Sequence, residues 1–121
     1  METIDLRKKR VPEVKFAGFD CYVVISTYNT GGHAIILTDT MDGEQVAVAT
    51  INVPIAGLIA PDEVVIKDYS ENEGLLEILV EAGVISKPLT YVSVSRFVEA
   101  PVCKLLIENN SEGYDAYFIG H

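Results

Sequence analysis

The sequence predicts an α+β domain: mostly antiparallel β-sheet of about seven strands, barrel- or sandwich-like, with one main α-helix near 71–82. Three observations carry this expectation. Runs rich in β-branched and aromatic residues recur along the chain, separated by Gly, Pro, Asn and Asp clusters, as strands and turns require. One stretch alone places leucines at helical spacing: Leu75, Leu76 and Leu79, followed by Ala82. With 121 residues, 49% of them hydrophobic, the chain can bury a core without covalent staples.

Taken in order, residues 1–12 are polar and basic, with Arg7, Lys8, Lys9 and Arg10, and read as a flexible basic arm. A single domain is expected over 13–121. Residues 19–28 form the first strand signal. Asn29-Thr-Gly-Gly32 follows, and its residues tolerate positive φ, so 33–38 returns as the second arm of a hairpin. Asp39-Thr-Met-Asp-Gly43 is the next turn. Residues 44–53 alternate without a charge on either face of Val46–Val53, which predicts a central strand or one covered on both sides. Pro54 ends it, and Ile55–Pro61 is an apolar crossover. A short strand is expected over 63–67.

Ser70-Glu-Asn-Glu73 has the spacing of a capping box, in which the Ser70 hydroxyl and the Glu73 carboxylate each satisfy a free backbone N–H. Gly83 fits the left-handed stop after a helix, with Val84-Ile85 packing back on the last turn. Gly74 within the first turn hints at close backbone approach. Beyond Pro88, strands are expected over 91–98, 102–108 and 114–119, with Ala100-Pro101 and Asn109–Gly113 as breaks.

Net charge is −9, which repels phosphate backbones and favours basic partners; direct nucleic-acid binding is not expected. Between residues 62 and 81 stand seven acids and a single base, Lys67. No apolar run approaches the roughly 18 residues of a membrane span, and none follows the basic arm as a secretory signal would require. The two cysteines, Cys21 and Cys103, lie in apolar runs and read as small buried residues of a reduced, cytoplasmic protein. Cys/His spacing gives no zinc motif, and no cofactor motif stands out: Gly31-Gly32 lacks the pattern of a phosphate-binding loop.

Four candidate sites emerge. Glu73, Glu77 and Glu81, spaced i, i+4, i+8, stack on one helix face, and like charges there oppose helix stability. With Asp68 and Glu71 they suggest a docking surface for a basic protein; Asp68, Glu71, Glu77 and Glu81 are its expected contacts. His33, at a hairpin tip, has a side chain easily tuned near neutrality, but no nucleophile motif accompanies it, so no catalytic residue is assigned. His33, Asn52 and Tyr69 are the polar contacts of an alternative reading, a small-molecule or nucleotide pocket against the Ile55–Ala60 crossover. Asp39–Glu44 has a passing likeness to a calcium loop, but Met41 occupies an oxygen position, so a hairpin turn is expected. Tyr114, Tyr117 and Phe118 crowd the C-terminal end, where packing at core or rim is expected. The uncharged strand 46–53 is compatible with a sheet that continues into a second copy.

The runs Ile66-Lys-Asp-Tyr-Ser-Glu-Asn-Glu-Gly74 and Glu81-Ala-Gly-Val-Ile85, with Thr30-Gly-Gly-His-Ala-Ile35, Asp42-Gly-Glu44 and Thr50-Ile-Asn-Val53, resemble a family of small proteins of bacteria, their phages and mobile elements. The resemblance covers residues 16–108 and implies a bacterial or phage setting, with no activity attached to any residue. Together with the acidity and the missing catalytic constellation, it leads to the expectation of a non-enzymatic binding protein. Such a protein would act as a phage or mobile-element inhibitor, occupying a basic surface of a host defence protein in the bacterial cytoplasm.

Overall fold

A computed structural model of the chain describes residues 12–28, 32–52 and 60–108. Within them lie seven strands in two antiparallel sheets and one short helix. The first sheet has the order β1(Glu13–Phe16), β2(Phe19–Thr27), β3(His33–Asp39), β4(Gln45–Val48). The second has β7(Val98–Lys104) between β5(Glu63–Val65) and β6(Thr90–Ser95). Between β5 and β6 come a 3₁₀ turn, Ser70–Asn72, and helix α1, Leu75–Glu81.

The α+β expectation holds in its broad form; among the described residues the sheets do not close into a barrel. Instead the chain hands over from one sheet to the other beyond β4. The Ala49 N–H still donates to Ile35 at 2.8 Å, while the Ala49 carbonyl accepts from Lys67 at 2.7 Å and Ile51 N–H donates to Val65 at 2.9 Å. Thr50 and Ile66 thus form an antiparallel bridge. The core lies between the sheets and α1: Val23, Ile25, Ile35 and Leu37 meet Val64, Ile66, Leu75, Leu79, Ile85 and Cys103.

Several expectations need correction. β1 is a strand that sequence alone leaves unassigned: Glu13–Phe16 carries two charges in four residues. It is held by antiparallel pairing to β2 through a two-residue turn, with positive φ at Ala17 (54°) and Gly18 (84°), as a type I′ hairpin requires. The strand covered on both sides is not β4, which lies at the end of its sheet and is half-buried. β2 and β3 take that place, with Val24, Ser26, Ile36 and Thr38 buried on one face and Val23, Ile25, Ile35 and Leu37 on the other. The break expected at Ala100-Pro101 falls instead at Arg96-Phe97, where β6 turns back into β7. Pro101 runs inside the middle strand of the second sheet. Its carbonyl accepts from Ile66 N–H at 2.9 Å, just beyond the last β5 pair. A residue's N–H and C=O face the same neighbour in an antiparallel ladder, so the missing donor leaves only that terminal bond single.

The helix is shorter than the expected 71–82 and is built differently. Ser70 has φ 55° and Gly74 φ 93°, so the chain makes a 3₁₀ turn, then a left-handed residue, then α1. The capping box does not form. Its place is taken by Asp68, whose Oδ1 accepts from Leu76 N–H at 2.9 Å. The C-terminal stop does form. With Gly83 at φ 77°, Val84 N–H bonds to Leu79 at 3.0 Å and Gly83 N–H to Val80 at 3.1 Å, the paired bonds of a Schellman ending. Leu75 and Leu79 are buried as the stripe predicts, whereas Ala82 is exposed.

The hairpin 39–44 is a turn as expected, and its acids are occupied. Asp39 Oδ1 accepts from Met41 N–H at 2.8 Å and Asp42 Oδ1 from Glu44 N–H at 2.9 Å. The expected strand 114–119, most of the basic arm and most of the 55–60 crossover lie outside the described residues.

Candidate functional site

The acidic segment separates into residues that build the fold and residues that do not. Asp68 is half-buried and holds the first turn of α1. Glu71 is exposed but forms a hydrogen-bonded ion pair with Lys67 Nζ, four residues before it, and that bond holds its carboxyl below the usual range. Lys67 also sits over the Tyr69 ring, 5.6 Å from its centre. Asn72 is buried between these acids, and its Nδ2 donates to Val48 at 2.8 Å, tying the 3₁₀ turn to β4.

Glu73, Glu77 and Glu81 remain, and the last two lie on α1. Both are exposed, one turn apart, and neither joins an ion pair among the described residues. Glu81 is the last helical residue, where the helix dipole disfavours a carboxylate, and no base stands in that last turn. Glu73 does not stack with them, because Gly74 breaks the helical phase between.

Most of the Ile55–Ala60 crossover, against which the small-molecule pocket is expected, lies outside the described residues. Tyr69 borders a groove described below, and neither His33 nor Asn52 lines it. His33 opens β3 opposite Thr27, half-buried, with its Nδ1 buried and unpartnered among the described residues. Asn52 is exposed beyond the Thr50–Ile66 bridge.

A groove of about 360 Å³ runs between the Asp68–Tyr69 segment and the β6–β7 hairpin. Tyr69, Tyr91 and Phe97 supply its aromatic surface, Leu76 and Pro101 its aliphatic surface, and Asp68 and Glu99 its charge. Tyr91 is 55% exposed and Phe97, at the hairpin tip, 90% exposed. Sequence reasoning finds Asp68 and Tyr69 but misses Tyr91, Phe97 and Glu99. The signal available was the pair Arg96-Phe97, two residues poorly served by a strand interior if the chain reverses there. The strand-like pattern through Val98 hid it.

Elsewhere the reactive groups are muted. Cys21 and Cys103 are free and buried; burial pushes the Cys103 thiol up to about 11, and burial with nearby Asp39 raises Cys21. Among the described residues no three His, Cys, Asp or Glu side chains are placed to hold a metal ion, and no helix is long and apolar enough to cross a membrane. Comparison with known proteins finds no matching family model, no matching curated protein and no matching solved structure.

Proposed function

We propose that this chain is a non-enzymatic acidic binding protein that occupies a basic surface of another protein. Its family resemblance implies a bacterial or phage setting, and in that setting we take the target to be a host defence protein in the bacterial cytoplasm. The observation that supports it is the pair Glu77 and Glu81. They are exposed, adjacent on one helix face and unpaired among the described residues, and Glu81 also opposes the helix dipole. In the same segment Asp62 pairs with Lys104, Glu63 accepts from Ala60 N–H, Asp68 from Leu76 N–H, and Glu71 pairs with Lys67, so among the described residues the carboxylates left without a partner are Glu73, Glu77 and Glu81, the last two adjacent on α1. A basic partner surface would turn two locally unfavourable carboxylates into favourable ones.

The test is capture of basic proteins from bacterial lysate by the wild-type chain and by the Glu77→Lys/Glu81→Lys double variant. Wild type is expected to retain a partner of high isoelectric point in low salt and release it as salt rises. The double variant is expected to retain none while keeping the wild-type circular dichroism. Equal capture by both chains refutes the proposal.

A further inference from the structure

We propose that the groove between Tyr69 and the β6–β7 hairpin is a seat for an arginine side chain of the basic partner, an assignment that rests on the binding-protein reading but uses different residues. The groove combines three features that a guanidinium matches. Tyr69, Tyr91 and Phe97 present aromatic surface, on which a planar cation stacks. Asp68 and Glu99 add two carboxylates, and no Lys or Arg among the described residues lines the groove. Asp68 Oδ1 is held by Leu76 N–H, which fixes the carboxylate, while its Oδ2 makes no hydrogen bond among the described residues.

The exposed aromatics need a reason beyond the fold. Phe97 sits at 90% exposure on a turn and Tyr91 is 55% exposed; Phe19, Met41, Leu89 and Leu106 are exposed as well, but of these six only Tyr91 and Phe97 line the groove, where they join Tyr69. One of the rings already takes a cation: Lys67 Nζ lies 5.6 Å from the centre of Tyr69. Lys67 is tethered to Glu71 and does not line the groove, so the seat itself is left to an incoming charge. Arginine is favoured over lysine because its flat, delocalised ion stacks on rings and forks onto carboxylates, whereas an ammonium does neither well.

The probe is a blocked pentapeptide, Gly-Ser-Arg-Ser-Gly, titrated into the isotope-labelled full chain and followed by aromatic and amide chemical shifts. Two further peptides carry lysine or the neutral isostere citrulline in place of arginine. The arginine peptide is expected to saturate shifts at Tyr69, Tyr91 and Phe97, the lysine peptide to bind about fivefold more weakly, and citrulline not to saturate. Phe97→Ala should weaken the arginine peptide about tenfold, and Glu99→Gln should weaken it severalfold. Phe97 is exposed, so its variant should keep the wild-type melting temperature. Equal binding of citrulline and arginine, an undiminished affinity in Phe97→Ala, or shifts lying away from the groove each overturn the assignment. A concentration-dependent dimer that Arg96→Gln dissolves would give the seat to a second copy and overturn it too. The two proposals separate cleanly. Saturable arginine binding without capture of any basic protein refutes the proposed function alone. Capture that depends on Glu77 and Glu81, with no peptide binding, refutes the arginine seat alone.

Discussion

Asn72 shows how a side chain that reads as one more polar residue in an acidic run becomes structural. It is 2% exposed, and its amide reaches the Val48 carbonyl at the end of β4. Truncation to alanine leaves that carbonyl without its partner and opens a void, for a cost of about 1–3 kcal/mol. Urea denaturation of Asn72→Ala should show a lower midpoint by that amount; an unchanged midpoint would mean water replaces the amide without loss. Cys103 gives a second prediction at this scale. Burial raises its thiol from an ordinary 9.0 to about 11. The folded state therefore holds the proton more tightly than the unfolded state. The stability this confers is complete below pH 9 and is lost as the pH rises through about 11. From pH 8 to 10.5 the unfolding free energy of the wild type should fall more than that of Cys103→Ala, by up to about 2 kcal/mol. Parallel pH profiles would show that the thiol is not protected by burial.

At the scale of elements, the turn between β1 and β2 places a non-glycine residue in the left-handed region. Alanine at position 17 adopts φ 54°, which costs an L-residue with a plain Cβ about 1 kcal/mol. Asn-Gly is the pair that a type I′ hairpin prefers, and position 17 is exposed. Ala17→Asn should raise stability by about 0.5–1 kcal/mol, read as a higher thermal midpoint with unchanged circular dichroism; a lower midpoint would contradict the turn geometry. The same joint explains what sequence could not reveal. Ala-Gly is a weak turn signal and Glu13–Phe16 a weak strand signal, so β1 is specified by its partner β2 and by contact with α1 rather than by its own residues. Where a signal was strong and local it was read correctly: Gly83 for the helix stop, Asp39–Gly43 for the turn, Leu75 and Leu79 for the buried stripe. Where two local rules competed, tertiary context decided. Ser70 and Glu73 have capping-box spacing, yet Gly74 takes φ 93° and Asp68, eight residues ahead of Leu76, supplies the cap. Pro101 reads as a strand breaker, but at the end of the β5 pairing it forfeits one bond only. The groove was half legible for the same reason: Asp68 and Tyr69 stand in the acidic segment, whereas Tyr91, Phe97 and Glu99 join them only once β6 turns at 96–97 and pairs with β7.

Across the whole molecule, charge and stability pull in opposite directions, which makes the acidic helix face testable without knowing its partner. The chain carries −9, and this imbalance works against compactness through self-repulsion. On α1 the conflict is local as well: Glu77 repels Glu81 across one turn, and Glu81 faces the negative end of the helix dipole with no basic residue beside it. A lysine at position 81 would reverse both effects at once, forming an i, i+4 pair in its favourable orientation and complementing the dipole. Glu81→Lys should therefore stabilise the fold by about 0.5–1 kcal/mol, with a gain that shrinks as salt is raised from 20 to about 500 mM because these are exposed charges. The same substitution should lower capture of a basic partner. A variant that is more stable and binds less is the signature of a carboxylate kept for recognition. If Glu81→Lys is more stable and captures as well as the wild type, the helix face contributes only solubility, and the search for the partner surface moves to the groove at Tyr69, Tyr91 and Phe97.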